Sequence, residues 1–389
     1  MIYPEDKEII KIDCRHYRGH IPCRPNKLYG VHCGECDYYD PIKERILIVK
    51  LGALGDVIRT TPLVRKIKAV YPQAEIWWVT YTPEFLPDDV DRKLKLDVQA
   101  LLQLEETEFD YLFSLDKDYE AAALANRIKA RVKKGFHLLD GKTTTFDDLA
   151  YAKYHTGIFD DVNKANKKNY MEEIFEICGF TFGGEKYILS NFDSDGYQWD
   201  LSKLPRPLVG LNTGCGGRWT SRLWAEENWS QVATAMISKG YGVLILGGEQ
   251  EDARSKRIAE KSGASYLGYY PLRQFVNLID QVDLVVTGVT MGMHIAVGLN
   301  KRIVLINNIF NRYEFELYGL GKVVEPDKEC KCFFMPKCVN KEYFCLEHLP
   351  PARIIDAVTE VITMPMEAGA LDDRSAPGPA AGQPASKKP

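Results

Sequence analysis

The chain has 389 residues, with 45% hydrophobic and 27% charged side chains, which is ordinary globular composition and long enough for two domains. Fifty Lys+Arg against 54 Asp+Glu leave a net charge of −4, which excludes a protein built mainly to coat nucleic acid. No apolar run approaches the ~20 residues of a membrane span, and the polar start over 1–11 does not read as a signal peptide, so a soluble cytoplasmic chain is expected.

Residues 1–40 are short, polar and Cys-rich, without sustained periodicity. A first α/β half opens with ILIVKL at 46–51, a strand-type run ended by Gly52. Helical spacing over 57–71 follows, then strand-like AEIWWVT at 74–80, a strand at 111–115, a helix at 120–130 and a short strand at 133–136. Near-continuous apolar runs alternating with amphipathic helices predict parallel sheets buried on both faces. Residues 195–207 carry two prolines and read as a linker, which sets the expected division at 200/201. The second half follows as strand 208–212, a Gly-rich loop, helix 224–239, strand 242–247, helix 252–262, strand 283–288, a helix from Met293, and strand 302–306. A last helix is expected over 352–362, within a segment assigned to 349–365, and the Ala/Gly/Pro/Ser-rich residues 366–389 are expected to be disordered. The expected domains are therefore 41–200 and 201–348.

Three strand-end loops carry candidate chemistry. Gly52-Ala53-Leu54-Gly55-Asp56 puts two turn-permitting glycines, Gly52 and Gly55, before a carboxylate at a helix start. Asp56 fits two readings there: a helix N-cap, or a general base. The loop 212–222 brings Thr213, Gly216, Gly217 and Arg222 together, offering backbone N–H groups, a hydroxyl and a guanidinium to a diphosphate. A flexible surface loop is the alternative. Thr290, Gly292 and His294 lie in a third turn into a helix, where His294 is either structural or a neutral hydrogen-bond donor. Glu249 follows strand 242–247, where a carboxylate either caps a helix or accepts ribose hydroxyls.

Eight of the ten cysteines fall in two groups: Cys14, Cys23, Cys33 and Cys36, then Cys330, Cys332, Cys338 and Cys345. Each set of four thiolates could hold Zn²⁺ or an iron–sulfur cluster, and spacing does not separate these from packed reduced thiols.

ILIVKLGALGDVIRTTPLVRKIKAVY at 46–71, SRLW at 221–224, LILGGEQED at 244–252 and LVVTGVTMGMHIAVGL at 284–299 resemble, in order, the ADP-heptose:lipopolysaccharide heptosyltransferase family, glycosyltransferase family 9. The resemblance spans about 45–320. It implies a GT-B fold, two Rossmann-like domains facing a central cleft, with acceptor bound by the first and nucleotide-sugar by the second. It also implies a final helix that often packs back across the first domain. By resemblance Asp56 is the base, Arg222 the donor-phosphate contact, Thr213 a diphosphate-loop residue, Glu249 the nucleoside contact, and His294 the histidine of the third motif. The chain departs from the pattern at Val289, where the family has an acidic donor contact, and at Glu120, where it has a basic residue.

The implied activity is inverting glycosyl transfer without a catalytic metal, from an ADP-heptose-like donor to a lipopolysaccharide-core or lipid-linked saccharide. Peripheral membrane contact and no nucleic-acid partner go with it. A protein acceptor, or a metal-bound GT-B scaffold without transfer, is the alternative. The expected metal is structural zinc, with iron, which some protein-modifying heptosyltransferases resembling this family carry on cysteines, as runner-up.

Overall fold

The computed structural model describes residues 9–192 and 197–365; the tail expected to be disordered lies outside them from 366 onward. The chain divides into two compact units between Tyr187 and Ile188, upstream of the expected 200/201. The reason is local: Asn191 and Phe192 are bonded to Asp280 and Asn277, and Arg206 pairs with Asp283, so the proline-bearing segment is tied to the second unit.

Among its described residues the first unit holds six strands: β1 (Arg45–Val49), β2 (Glu75–Thr80), β3 (Arg92–Lys95), β4 (Glu108–Ser114), β5 (Lys129–Leu139) and β6 (Lys142–Thr145). Their order is β3-β2-β1-β4-β5-β6, parallel except for β6, which runs antiparallel to β5. Every residue of β2 is buried, as expected of a strand covered on both faces. The helical pattern over 57–71 forms two helices, Leu54–Thr60 and Pro62–Val70, because Pro62 has no N–H to continue the first and suits the first turn of the second. The Cys-rich start is fastened to this unit by Arg15, which pairs with Asp40 at 2.9 Å and Asp91 at 2.5 Å.

The second unit holds β7 (Leu208–Asn212), β8 (Gly242–Leu246), β9 (Ser265–Tyr266), β10 (Leu284–Gly288), β11 (Arg302–Ile306) and β12 (Gly321–Val324). All are parallel, in the order β12-β11-β10-β7-β8-β9. The helix Pro351–Thr363 belongs to this unit: Ile354, Ala357, Val358 and Val361 join the core of Val209, Val286 and Val304.

In each sheet the strand order reverses once, between β1 and β4 and between β10 and β7. Chain segments leaving the carboxyl ends of strands on either side of such a reversal diverge, which leaves a crevice where open α/β sheets bind ligands. The Asp56 loop leaves β1, and the 213–222 and 289–292 loops leave β7 and β10.

Candidate functional site

In the second unit a cavity of about 540 Å³ lies at the β7/β10 reversal. Of the residues expected to meet a donor, Gly216, Arg222, Glu249, Thr290 and Gly292 line it. Thr213, Gly217 and His294 do not; Thr213 and His294 are buried at 3% and 7% exposure. Thr213 Oγ1 and Arg222 Nε are buried without a hydrogen-bond partner among the described residues, an unfavourable condition for polar groups unless a ligand completes them.

The Arg222 guanidinium is aimed by its neighbours. Nη1 donates to Val289 O and Nη2 to Cys215 O at 3.4 Å, while Trp219 and Phe310 rings lie 5.3 and 5.5 Å from its carbon. Burial lowers its pKa, but a guanidinium remains charged at any ordinary pH. Val289, which stands where the family has an acid, thus contributes its carbonyl oxygen.

The glycine loop is already occupied. Gly216 N donates to Glu251 Oε1 at 3.1 Å and Gly217 N to Gln250 Oε1 at 2.8 Å, and Glu251 Oε2 accepts from Gly248 N at 3.1 Å. A side-chain carboxylate therefore holds one of the amides expected to meet a phosphate. The Thr290 hydroxyl is likewise engaged: it sits 3.1 Å from both Asn212 Nδ2 and Thr287 Oγ1, tying the start of the Met291–Gly298 helix to β7 and β10. A Cβ on Gly292 would lie 2.6 Å from Asn212 Nδ2, so any larger residue there has to push that hydrogen-bonded amide aside.

Sequence reasoning passed over Tyr270, Leu272 and Phe275, an apolar part of the lining on or beside the helix Leu272–Asp280. The signal was present, since Leu272, Phe275, Val276 and Ile279 recur at helical spacing.

In the first unit Asp56 lies in the first turn of the helix Leu54–Thr60, 33% exposed, and its Oδ1 meets Arg59 Nη2 at 2.8 Å. It does not act as an N-cap, since Ala53 holds that position. Its Oδ2 is 4.0 Å from Lys50 Nζ, which also contacts the Asp116 carboxylate. Asp116 Oδ2 accepts from Leu51 N at 2.5 Å and Gly52 N at 3.4 Å, and Lys50 Nζ donates to Gly52 O at 3.2 Å, so Gly52 is fixed by the pair. Gly55 is buried in the helix. Burial opposes the charge of Lys50, yet Tyr170, Asp116 and Asp56 more than reverse this and raise its pKa. Asp118 is pushed up by burial and by Asp116, Glu120 and Asp56. Lys50 and Asp116 escaped the sequence reading, although a lysine set inside the apolar run ILIVKL was a signal.

The cysteine groups lie one in each unit, and none of the ten cysteines is in a disulfide. Cys14, Cys23, Cys33 and Cys36 line a small cavity of about 20 Å³ with His16. Cys332 Sγ is 3.5 Å from Cys338 Sγ, Cys330 Sγ accepts from Cys332 N at 3.3 Å, and Cys345 Sγ accepts from Asn308 Nδ2 at 3.3 Å. The hydrogen bond from Cys330, against the effect of burial, brings the Cys345 thiol down to about 6. Among the described residues no three His, Cys, Asp or Glu side chains are arranged to hold a metal ion. Among the described residues, too, no helix is long and apolar enough to cross a membrane.

Lipopolysaccharide core heptosyltransferase OpsX of Haemophilus influenzae is 29% identical over 278 residues, 64% of this chain and 75% of its own length. Lipopolysaccharide heptosyltransferase 1 of Salmonella typhimurium is 22% identical over 310 residues, 71% of this chain and 88% of its own. Among solved structures, a glycosyl transferase family 9 protein from Veillonella parvula superposes with a TM-score of 0.61 at 18% identity, covering 82% of this chain and 97% of that one. Escherichia coli ADP-heptose lps heptosyltransferase II does so with a TM-score of 0.59 at 18% identity, covering 82% and 98%. These likenesses fix the fold as GT-B. Residues 99–308, more than half the chain, match the family described as glycosyltransferase family 9 (heptosyltransferase), and the chain belongs to that family as a glycosyltransferase.

Proposed function

We propose that the protein transfers a heptose from ADP to a hydroxyl of a lipopolysaccharide-core saccharide, with inversion and without a catalytic metal. The observation that carries this reading is the second-unit cavity, where the half-buried Arg222, its Nε unpartnered, adjoins an apolar wall of Tyr270, Leu272 and Phe275. That combination suits a nucleoside diphosphate, with a flat base against apolar side chains and phosphates against Arg222. Heptose and the saccharide acceptor come from the relatives, which are named for lipopolysaccharide heptosyl transfer.

Asp56 takes the proton from the acceptor hydroxyl as that oxygen attacks the anomeric carbon from the face opposite the leaving group. The bond to the diphosphate breaks with its electron pair, and Arg222 meets the charge that develops on the departing oxygen. The diphosphate displaces Glu251 from Gly216 N, and Glu249 accepts from the ribose hydroxyls. The work is done in the cytoplasm, with peripheral contact at the membrane that holds the acceptor.

Calorimetric titration with ADP, GDP, UDP and CDP tests the donor. Selective ADP binding that weakens in Arg222→Ala and Glu249→Ala is the expected result; preference for another nucleotide overturns the ADP assignment. Asp56→Asn should abolish turnover while ADP binding persists, and activity within a few-fold of wild type would remove Asp56 as the base.

A further inference from the structure

The cysteine-rich stretch 330–345 takes no part in the reaction above, yet it grips the segment that carries Arg222. Ser221 Oγ donates to Met335 O at 2.6 Å and Ser221 N to Pro336 O at 3.1 Å. Asn308, two residues past β11, donates from Nδ2 to Ser221 O at 2.9 Å as well as to Cys345 Sγ. Phe334 N donates to Ile309 O at 2.9 Å, and the Phe334 ring sets its edge against Trp219 and Phe310, at 6.0 and 5.1 Å between centroids. Trp219 and Phe310 are the two rings beside the Arg222 guanidinium.

Residues 325–344 contain no helix or strand, so the shape of this stretch comes from side chains. Cys332 and Cys345 are 1% and 2% exposed, and Cys332 Sγ accepts from Val339 N at 3.2 Å besides meeting Cys338. Buried sulfur does here what a small apolar core does elsewhere.

We infer that residues 330–345 form a brace that positions Arg222 for the donor diphosphate, with Ser221 and Asn308 as positioning residues and the buried thiols fixing the shape of the brace. The inference rests on Arg222 contacting the donor, as read above. An arginine side chain has many rotamers to lose on binding; one already aimed loses fewer, and affinity gains accordingly.

The test is calorimetric ADP binding by the full chain and by Arg222→Ala, Ser221→Ala, Ser221→Thr, Asn308→Ala and Arg222→Ala/Asn308→Ala. Arg222→Ala should weaken binding about tenfold or more, as loss of a charged hydrogen bond does. Ser221→Ala and Asn308→Ala should each weaken it roughly three- to tenfold, with melting temperatures near wild type, and Ser221→Thr, which keeps the hydroxyl, should recover most of the loss. In the double variant Asn308→Ala should add nothing, because its effect passes through Arg222, whereas a merely structural role would add in full. Should Ser221→Ala fail to fold, the Asn308 cycle decides alone. An inert Arg222→Ala sinks the donor reading and the brace with it. A damaging Arg222→Ala beside a silent Asn308→Ala, or an additive double variant, sinks the brace and leaves the donor reading standing.

Discussion

Lys50 Nζ meets the carboxylate of Asp116 where the two residues are only 4% and 5% exposed, and the pair holds the backbone of the turn that leads to Asp56. Removing one partner of such a pair leaves the other charged, buried and alone. Lys50→Met should therefore cost about 3–5 kcal/mol of stability.

That cost has a pH dependence of definite sign. The raised pKa of Lys50 means its contribution is complete below the ordinary lysine range and is lost only as pH rises through the folded value, so wild type keeps the pair across neutral pH. Urea denaturation of wild type and Lys50→Met should therefore give the same gap at pH 5 and pH 8, closing only above the ordinary lysine range; a gap that already closes between pH 5 and pH 8 would count against the pairing.

Arg59 bears on the chemistry itself. It pairs with Asp56 at 2.8 Å and lies 3.4 Å from the centre of the Tyr170 ring. Taking away this cation disfavours the carboxylate form of its neighbour. Arg59→Ala should lower kcat about tenfold and move the acid limb of the pH–rate profile upward, with a smaller move in Arg59→Lys. An unmoved acid limb would show that Asp56 is not the group that limits the rate at low pH.

Gly292 probes the cavity of the second unit. An alanine there drives a methyl group to within 2.6 Å of Asn212 Nδ2 and forces apart the contacts among Asn212, Thr287 and Thr290. Gly292→Ala should weaken nucleotide binding by about tenfold, on the order of 1.4 kcal/mol, as read by calorimetry. Affinity within twofold of wild type would mean that this network does not shape the cavity.

Gly135 in β5 probes the fold of the first unit. Its φ is +93°, and a Cβ would fall 1.9 Å from Ser114 O in the neighbouring strand. Since backbone cannot step aside as a side-chain tip can, Gly135→Ala should cost about 3 kcal/mol or more. A melting temperature within a degree or two of wild type would contradict that reading.

In the second unit β7, β8, β10 and β11 were legible, because parallel strands covered on both faces are written as unbroken apolar runs, whereas β9 and β12 at the two edges of the sheet were not. Leu208–Asn212 and Arg302–Ile306 lie where the sequence puts them. Strands exposed at an edge carry no such mark: RKLK in β3 and KTTT in β6 alternate nothing and went unassigned. The loops at the second-unit cavity were legible from glycine, hydroxyl and arginine at a strand end. What each group does was not, because hydrogen bonds cross long stretches of chain. No local pattern tells that Glu251 reaches Gly216, that Asn212 binds Thr290, or that Asp116 answers Lys50 across 66 residues.

The helix Pro351–Thr363 gives four aliphatic side chains to the second core, and Arg302 Nη2 holds the carbonyl of Met364 just beyond it at 3.0 Å. A premature stop in this stretch is therefore a wound in the core of the second unit rather than the trimming of a tail. It would uncover the outer surface of β11 and β12, and such a protein should accumulate as insoluble aggregate when made in cells, however intact every residue around Arg222 remains.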